Sequence, residues 1–161
     1  MLNIQTEKQY NKIVENYSDM IFRIAYQYLY NKYDAEDIVQ EVFVKLLSRK
    51  VIFKDEEHVK SWLIRVTINQ CLDYKKSLAK RSTVPIENME IPFEHKEEGI
   101  LEELQLLKED ERNILYLYYY EGFPTAQIAE ILGKKESSVR SDLRRGREKL
   151  REVLREEYDF E

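Results

Sequence analysis

The residues best equipped for chemistry in this chain are those that bind polyanions. Ser137, Arg140, Ser141, Arg144 and Arg145 fall on one side of a helix at 100° per residue, where hydroxyls and guanidinium groups suit a DNA major groove and its phosphates. Arg144 and Arg145 suit either guanine edges or phosphate oxygens. Residues 134–155 carry a net charge of about +5. A second stretch, 60–81, is also about +5 and sets Arg65, Lys75 and Lys76 among Trp62 and Asn69, a mixture that can stack on and steer unpaired bases. The opposite chemistry sits at Asp34, Glu36, Asp37, Gln40 and Glu41. With Val44 and Leu47 on the same side, this run forms an acidic face with exposed apolar residues, fit for a basic partner helix. Each feature alone also has a plainer reading as a solvated helix face, a core tryptophan or a basic helical hairpin.

Catalytic and metal chemistry find little support. There is no Gly-Lys-Ser/Thr phosphate loop and no Gly-x-Ser-x-Gly elbow. One cysteine (Cys71) and two histidines (His58, His95) are too few for an ordinary zinc site. The carboxylates read as solvated or docking faces rather than an acid/base pair, so neither an enzyme nor a cofactor is expected. A single cysteine excludes an internal disulfide and suits a reducing cytosol. No apolar run approaches a membrane span, and Met1–Glu7 lacks the regions of a signal peptide. The whole chain carries −5, so its two basic stretches stand out against an acidic background.

These side chains need helices to hold them. Of 161 residues 43% are hydrophobic, with only 4 Gly and 3 Pro, which disfavours turn-dense β architectures. Apolar residues recur at helical spacing from Tyr10 through Ile13, Val14, Tyr17, Met20, Ile21, Ile24, Ala25 and Tyr28, and Thr6 with Gln9 predicts a capping box in front of them. A second helix is expected from about Asp34, with Ala35, Ile38, Val39, Val42, Phe43 and Leu46 inward. A third, from Asp55–Glu57, has Val59, Trp62, Leu63 and Val66 on its main apolar face. From Lys75 to about Lys96 the pattern fails and two prolines occur, which predicts a flexible linker. Periodicity resumes at Ile100, Leu101, Leu104 and Leu107, and again at Ile114–Tyr118. Thr125–Gly133 followed by Lys134–Leu150 then predicts a helix-turn-helix: Ala129 is small at the crossing, Gly133 suits a positive φ, and Ile128, Leu132 and Val139 form the small core. Val139, Leu143, Gly146 and Leu150 line the inner side of the second helix. The expected architecture is all-α, with two small helical domains, 1–76 and 99–161, joined by a linker at 77–98.

With both motifs in view, the chain resembles the bacterial sigma-70 family in its small extracytoplasmic-function group. The resemblance rests on Asp34-Ala35-Glu36-Asp37-Ile38-Val39-Gln40-Glu41, Trp62-Leu63 with Asn69 and Asp73, Glu121-Gly122, and Val139-Arg140-Ser141, in that order across residues 10–153. It implies that the Asp34–Leu47 helix docks on core RNA polymerase through Asp34, Glu36, Asp37, Gln40, Glu41 and Val44. It also implies that the loop near Lys50–Glu57, with Trp62, Arg65, Asn69, Lys75 and Lys76, engages a melted −10 element, where a flipped base costs a few kcal/mol to unstack. Ser137, Arg140, Ser141, Arg144 and Arg145 would read a duplex −35 element, and an anti-sigma factor, commonly membrane-bound, would hold the protein in check. The resemblance implies a cytoplasmic, non-catalytic transcription factor that does not itself enter a membrane. Departures from the family pattern are Leu63 where primary members have a second tryptophan, Gln127 for a usual glutamate, Lys108 for a common proline, and Pro124 at the cap position, which leaves Thr125 as the expected cap. The competing reading is a free-standing helix-turn-helix repressor or activator, which leaves the acidic helix without a use.

Overall fold

The capping box predicted at Thr6 is present: the Thr6 hydroxyl accepts the Gln9 N–H at 3.2 Å, and the Gln9 side chain accepts the N–H groups of Gln5 and Thr6. It opens α1 (Glu7–Leu29) in a computed structural model that describes residues 2–81 and 104–158, the side chains of 156–158 excepted. α1 ends at Tyr30, a left-handed residue (φ 49°) whose N–H returns to Tyr26 O at 2.8 Å. Asn31 then caps α2 (Lys32–Ser48) by accepting the Asp34 N–H at 3.0 Å. α2 therefore starts two residues before the expected Asp34, because the capping side chain is Asn31 and the acidic run begins inside the first turn. With two residues between them, α1 and α2 fold back against one another.

α3 (Glu56–Arg81) completes the first unit. Its N-terminus is held by Asp55, whose Oδ1 accepts the His58 N–H at 2.8 Å. The core joins Ile21, Ile24 and Ala25 of α1, Ala35, Ile38 and Val42 of α2, and Leu63, Ile64 and Cys71 of α3. α3 buries more than one side: Ile64, Ile68 and Cys71 are as enclosed as Val59, Leu63 and Val66, whereas Trp62 is only half-buried. Two short strands, β1 (Leu2–Asn3) and β2 (Ile52–Phe53), pair antiparallel beside the helices, an element the periodicity does not signal. The linker boundary expected after Lys76 falls inside α3. Residues 77–81 continue the helix because Leu, Ala, Lys and Arg are good helix formers, and Lys80 and Arg81 suit the negative end of the helix dipole. The rest of the expected linker, and the periodic Ile100 and Leu101, lie outside the described residues.

The second unit holds α4 (Glu109–Leu115), which runs on as a π-helical turn Tyr116–Tyr120, then α5 (Thr125–Leu132) and α6 (Glu136–Tyr158). Its core gathers Leu107, Ile114, Leu117, Phe123, Ile128, Val139 and Leu143. Both units are helical, as the composition implies, and the two-residue strands do not change the class. Among the described residues no helix is long and apolar enough to cross a membrane.

Candidate nucleic-acid interface

The turn between α5 and α6 sets the geometry of the basic face. Gly133 is left-handed (φ 65°), its N–H reaching Glu130 O at 3.3 Å, and the Lys134 N–H reaches Ala129 O at 2.9 Å. This pair of return bonds is a Schellman end, which requires the positive φ predicted for Gly133. Ile128, Ala129 and Val139 are buried at the crossing. Leu132 is half-exposed, and Ile131 takes the place expected for it: three residues after Ile128 it lies over the same core, while Leu132 turns toward the rim. Thr125 does not cap α5. Its hydroxyl donates to Glu136 Oε1 at 3.0 Å, tying the start of α5 to the start of α6, and the Pro124 carbonyl receives the first helical N–H groups.

α6 is seated on α4 by two contacts. A methyl group placed on Gly146 would stand 3.0 Å from Leu115 Cδ1 and 3.4 Å from Glu111 Cβ, so glycine permits the close approach. Three residues further on, Lys149 Nζ donates to both carboxylate oxygens of the buried Glu111 at 3.0 Å. The Glu111–Lys149 pair is absent from the sequence reading. Its partners are 38 residues apart, and no local pattern marks them.

With that seat, Ser137, Arg140, Arg144 and Arg145 are exposed on the outer side of α6, and Ser141 is half-buried among them. Two of the three arginines have acidic neighbours. Arg140 pairs with Glu136 at 3.1 Å, and Arg145 reaches Ser141 O at 3.4 Å and Asp142 at 3.9 Å. Exposed pairs of this kind are worth well under about 1 kcal/mol, so they yield readily to a phosphate or base edge. Arg144 is exposed, with no ion pair to it among the described residues.

In the first unit, the outer side of α2 exposes Glu36, Asp37, Gln40 and Glu41 together with Val44 and Leu47, the last two 61% and 63% exposed. Asp34 is half-buried and faces α3. Burial first, and then the Asp34 charge and hydrogen bond, raise the pKa of the Tyr74 phenol. On α3, Arg65, Asn69 and Lys76 are exposed along one stripe at helical spacing, with half-buried Trp62 at its end. Lys75 is half-buried, its ammonium 5.8 Å from the centre of the Tyr28 ring. One residue from Lys76 is 100° around the helix, which turns Lys75 toward α1 and away from the stripe. The loop before α3 is anchored by Phe53, a residue the sequence reading passes over. Phe53 is fully buried, its ring edge-on to Trp62 at 5.7 Å and to His58 at 5.4 Å. Among the described residues no group of three or more His, Cys, Asp or Glu side chains is arranged to hold a metal ion.

Two helical units, one carrying a helix-turn-helix with a basic outer face, define an all-α protein of the class whose architecture suits binding to duplex DNA. The profile described as Sigma-70 region 2 matches residues 13–81, and that described as Sigma-70, region 4 matches residues 97–150. The chain belongs to the sigma-70 family, in its extracytoplasmic-function group. Relatives include the RNA polymerase sigma factor SigV of Bacillus subtilis, 28% identical over 149 residues that cover 89% of this chain and 90% of the relative. The ECF RNA polymerase sigma factor SigW of the same organism is 28% identical over 164 residues, covering 89% and 88%. Among solved structures, the sigma factor RpoE of Bartonella quintana, in complex with the anti-sigma factor NepR, shares the fold with a TM-score of 0.78. It is 19% identical, and the match covers 92% of this chain and 98% of that one.

Proposed function

We propose that this protein is an alternative sigma factor that brings core RNA polymerase to promoters and helps open them, working in the cytoplasm and catalysing no reaction of its own. The observation that carries the reading is the pairing, in one chain, of the exposed acidic-apolar face of α2 with the exposed basic face of α6. A repressor has use for the second and none for the first. Glu36, Asp37, Gln40, Glu41 and Val44 meet basic polymerase residues, with Asp34 shaping that surface from its edge through Tyr74. Trp62, Arg65, Asn69 and Lys76, with the loop before α3, engage the separated −10 strand, and Lys75 supports them from the side. Ser137, Arg140, Ser141, Arg144 and Arg145 face the −35 duplex. Residues 1–76 and 99–161 act as the two contacting domains, and 77–98 spans between them. An anti-sigma factor is a fitting partner, since the Bartonella structure of the same fold was solved with one.

The test is run-off transcription from a promoter library with purified core polymerase. Promoter-specific initiation that disappears in the Asp37→Lys/Glu41→Lys variant, while binding of that variant to −35 duplex is unchanged, is the expected result. No initiation by the unaltered chain, together with tight polymerase-independent binding to duplex DNA, would instead identify a free-standing repressor or activator.

A further inference from the structure

The loop between α2 and α3 is held by two different devices. From Phe53 onward it is fixed by its own side chains. Phe53 is buried against Trp62 and His58, the Lys54 N–H donates to His58 Nδ1 at 2.9 Å, and Asp55 accepts the His58 N–H at 2.8 Å. The stretch before Phe53 is different. Arg49, Lys50 and Ile52 are exposed, Ile52 by 57%, and the Val51 N–H bonds only as far back as Arg49 O. Among the described residues, the strand pairing with this stretch is β1, with Leu2 opposite Phe53 and Asn3 opposite Ile52.

β1 is in turn closely tied to α1. Only Ile4 stands between Asn3 and Gln5, and the N–H groups of Gln5 and Thr6 both donate to Gln9 Oε1 at 3.0 and 3.2 Å. Further along α1, the helix also reaches the far side of the loop, since the Tyr17 hydroxyl lies 3.4 Å from Glu56 Oε2 at the start of α3. Successive strand residues face opposite sides, so burial of Phe53 turns Ile52 outward, and exposed Lys50 and Lys54 lie just before and just after the strand. The exposed stretch thus has an apolar residue between two cations, and through Phe53 it adjoins Trp62, where the α3 stripe ends.

We infer that the Leu2–Asn3 strand is a positioning element for promoter selectivity: its backbone pairing holds Lys50–Lys54 in the arrangement that presents this stretch to the −10 strand beside Trp62. The inference rests on the sigma-factor reading and adds to it a residue pair outside both matched regions. Without β1, the anchors at Phe53 and His58 keep the loop's second half in place, and its first half samples other conformations. Selectivity at the −10 bases then falls, while polymerase docking on α2 and −35 reading on α6 are untouched.

The experiment compares the full chain with a variant lacking Leu2, Asn3 and Ile4, which keeps the Thr6 cap of α1. Two readouts are used: hydrogen exchange of the Val51–Phe53 amides in the free protein, and initiation with core polymerase on promoters that differ by one −10 base at a constant −35 element. The expected result is faster exchange at Val51–Phe53 and about a tenfold lower ratio of preferred to altered −10 promoter, the factor that one or two backbone hydrogen bonds supply. Discrimination among −35 elements and affinity for core polymerase stay constant. Asn3→Val, which keeps the strand and removes the amide, retains the selectivity of the unaltered chain. Unchanged exchange in the deletion variant would overturn the inference by itself, whatever the transcription assay gives. Faster exchange with an unchanged −10 ratio would overturn it too, as would an Asn3→Val loss equal to that of the deletion. Absence of promoter-specific initiation by the unaltered chain would sink the sigma-factor reading, a failure the exchange measurement keeps separate.

Discussion

Three arginines share the outer face of α6, and their surroundings divide their roles. Arg140 and Arg145 are drawn along the helix by Glu136 and by Asp142 and the Ser141 carbonyl. Arg144 projects between them into solvent. A guanidinium that neutralises one phosphate contributes close to one unit to the slope of log affinity against log salt, regardless of sequence. One that reads a guanine contributes about 1–3 kcal/mol of discrimination at a single position. Arg144→Ala is expected to act mainly through phosphate: binding to −35 duplex weakens evenly across sequences, and the salt slope falls by about one. Fluorescence anisotropy over a salt series on several −35 sequences checks this. A selective loss at one base pair with an unchanged slope would make Arg144 a base reader.

At the scale of elements, caps and close approaches decide where the helices begin and how they seat. Asn31 accepts the Asp34 N–H in the first turn of α2 and stands at the join between α1 and α2. Asn31→Ala is expected to cost about 1 kcal/mol, the usual worth of an N-cap, read as a lower urea midpoint with an unchanged slope. A cost near zero would mean that water caps the helix as well as the side chain does. The helices themselves were legible in the sequence wherever one side faces water. α2, and α1 as far as Arg23, show a clear period because only their inner stripes are buried, whereas the last turns of α1, Ile24–Leu29, are enclosed all round; the acidic face of α2 follows from the same period. α3 was only partly legible, since it is enclosed on more than one side and its last turns carry no stripe at all. Legibility ended where partners are far apart in the chain: Glu111 with Lys149, Thr125 with Glu136, and Leu2–Asn3 with Ile52–Phe53 leave no local spacing to detect. On α6 the residues expected on the outer side are exposed, Ser141 only in part, whereas a run of basic residues does not show that Lys75 is the one that turns toward Tyr28.

Taken whole, on the proposed reading, the molecule offers two modest DNA contacts rather than one strong one. Linked contacts held at the right spacing gain about 10²–10⁴ in affinity through effective concentration alone, and gain nothing when the geometry prevents both from engaging. On the proposed reading, core polymerase supplies the spacing, so its addition is expected to tighten promoter binding by a factor in that range. Changing the distance between −35 and −10 elements should abolish the gain. Electrophoretic mobility shifts with and without polymerase measure both, and equal affinity in the two conditions would refute this division of labour. The acidic neighbours on α6 then acquire a further meaning. Glu136 and Asp142 flank the exposed arginine face, one on either side, where on the proposed reading they repel every phosphate alike, right or wrong. A chromosome presents an immense excess of wrong sites, and a protein with three bare arginines would spend most of its life wandering on them. On the proposed reading, partial self-neutralisation keeps this chain in the pool from which polymerase recruits, and weak hold on random DNA sustains its supply.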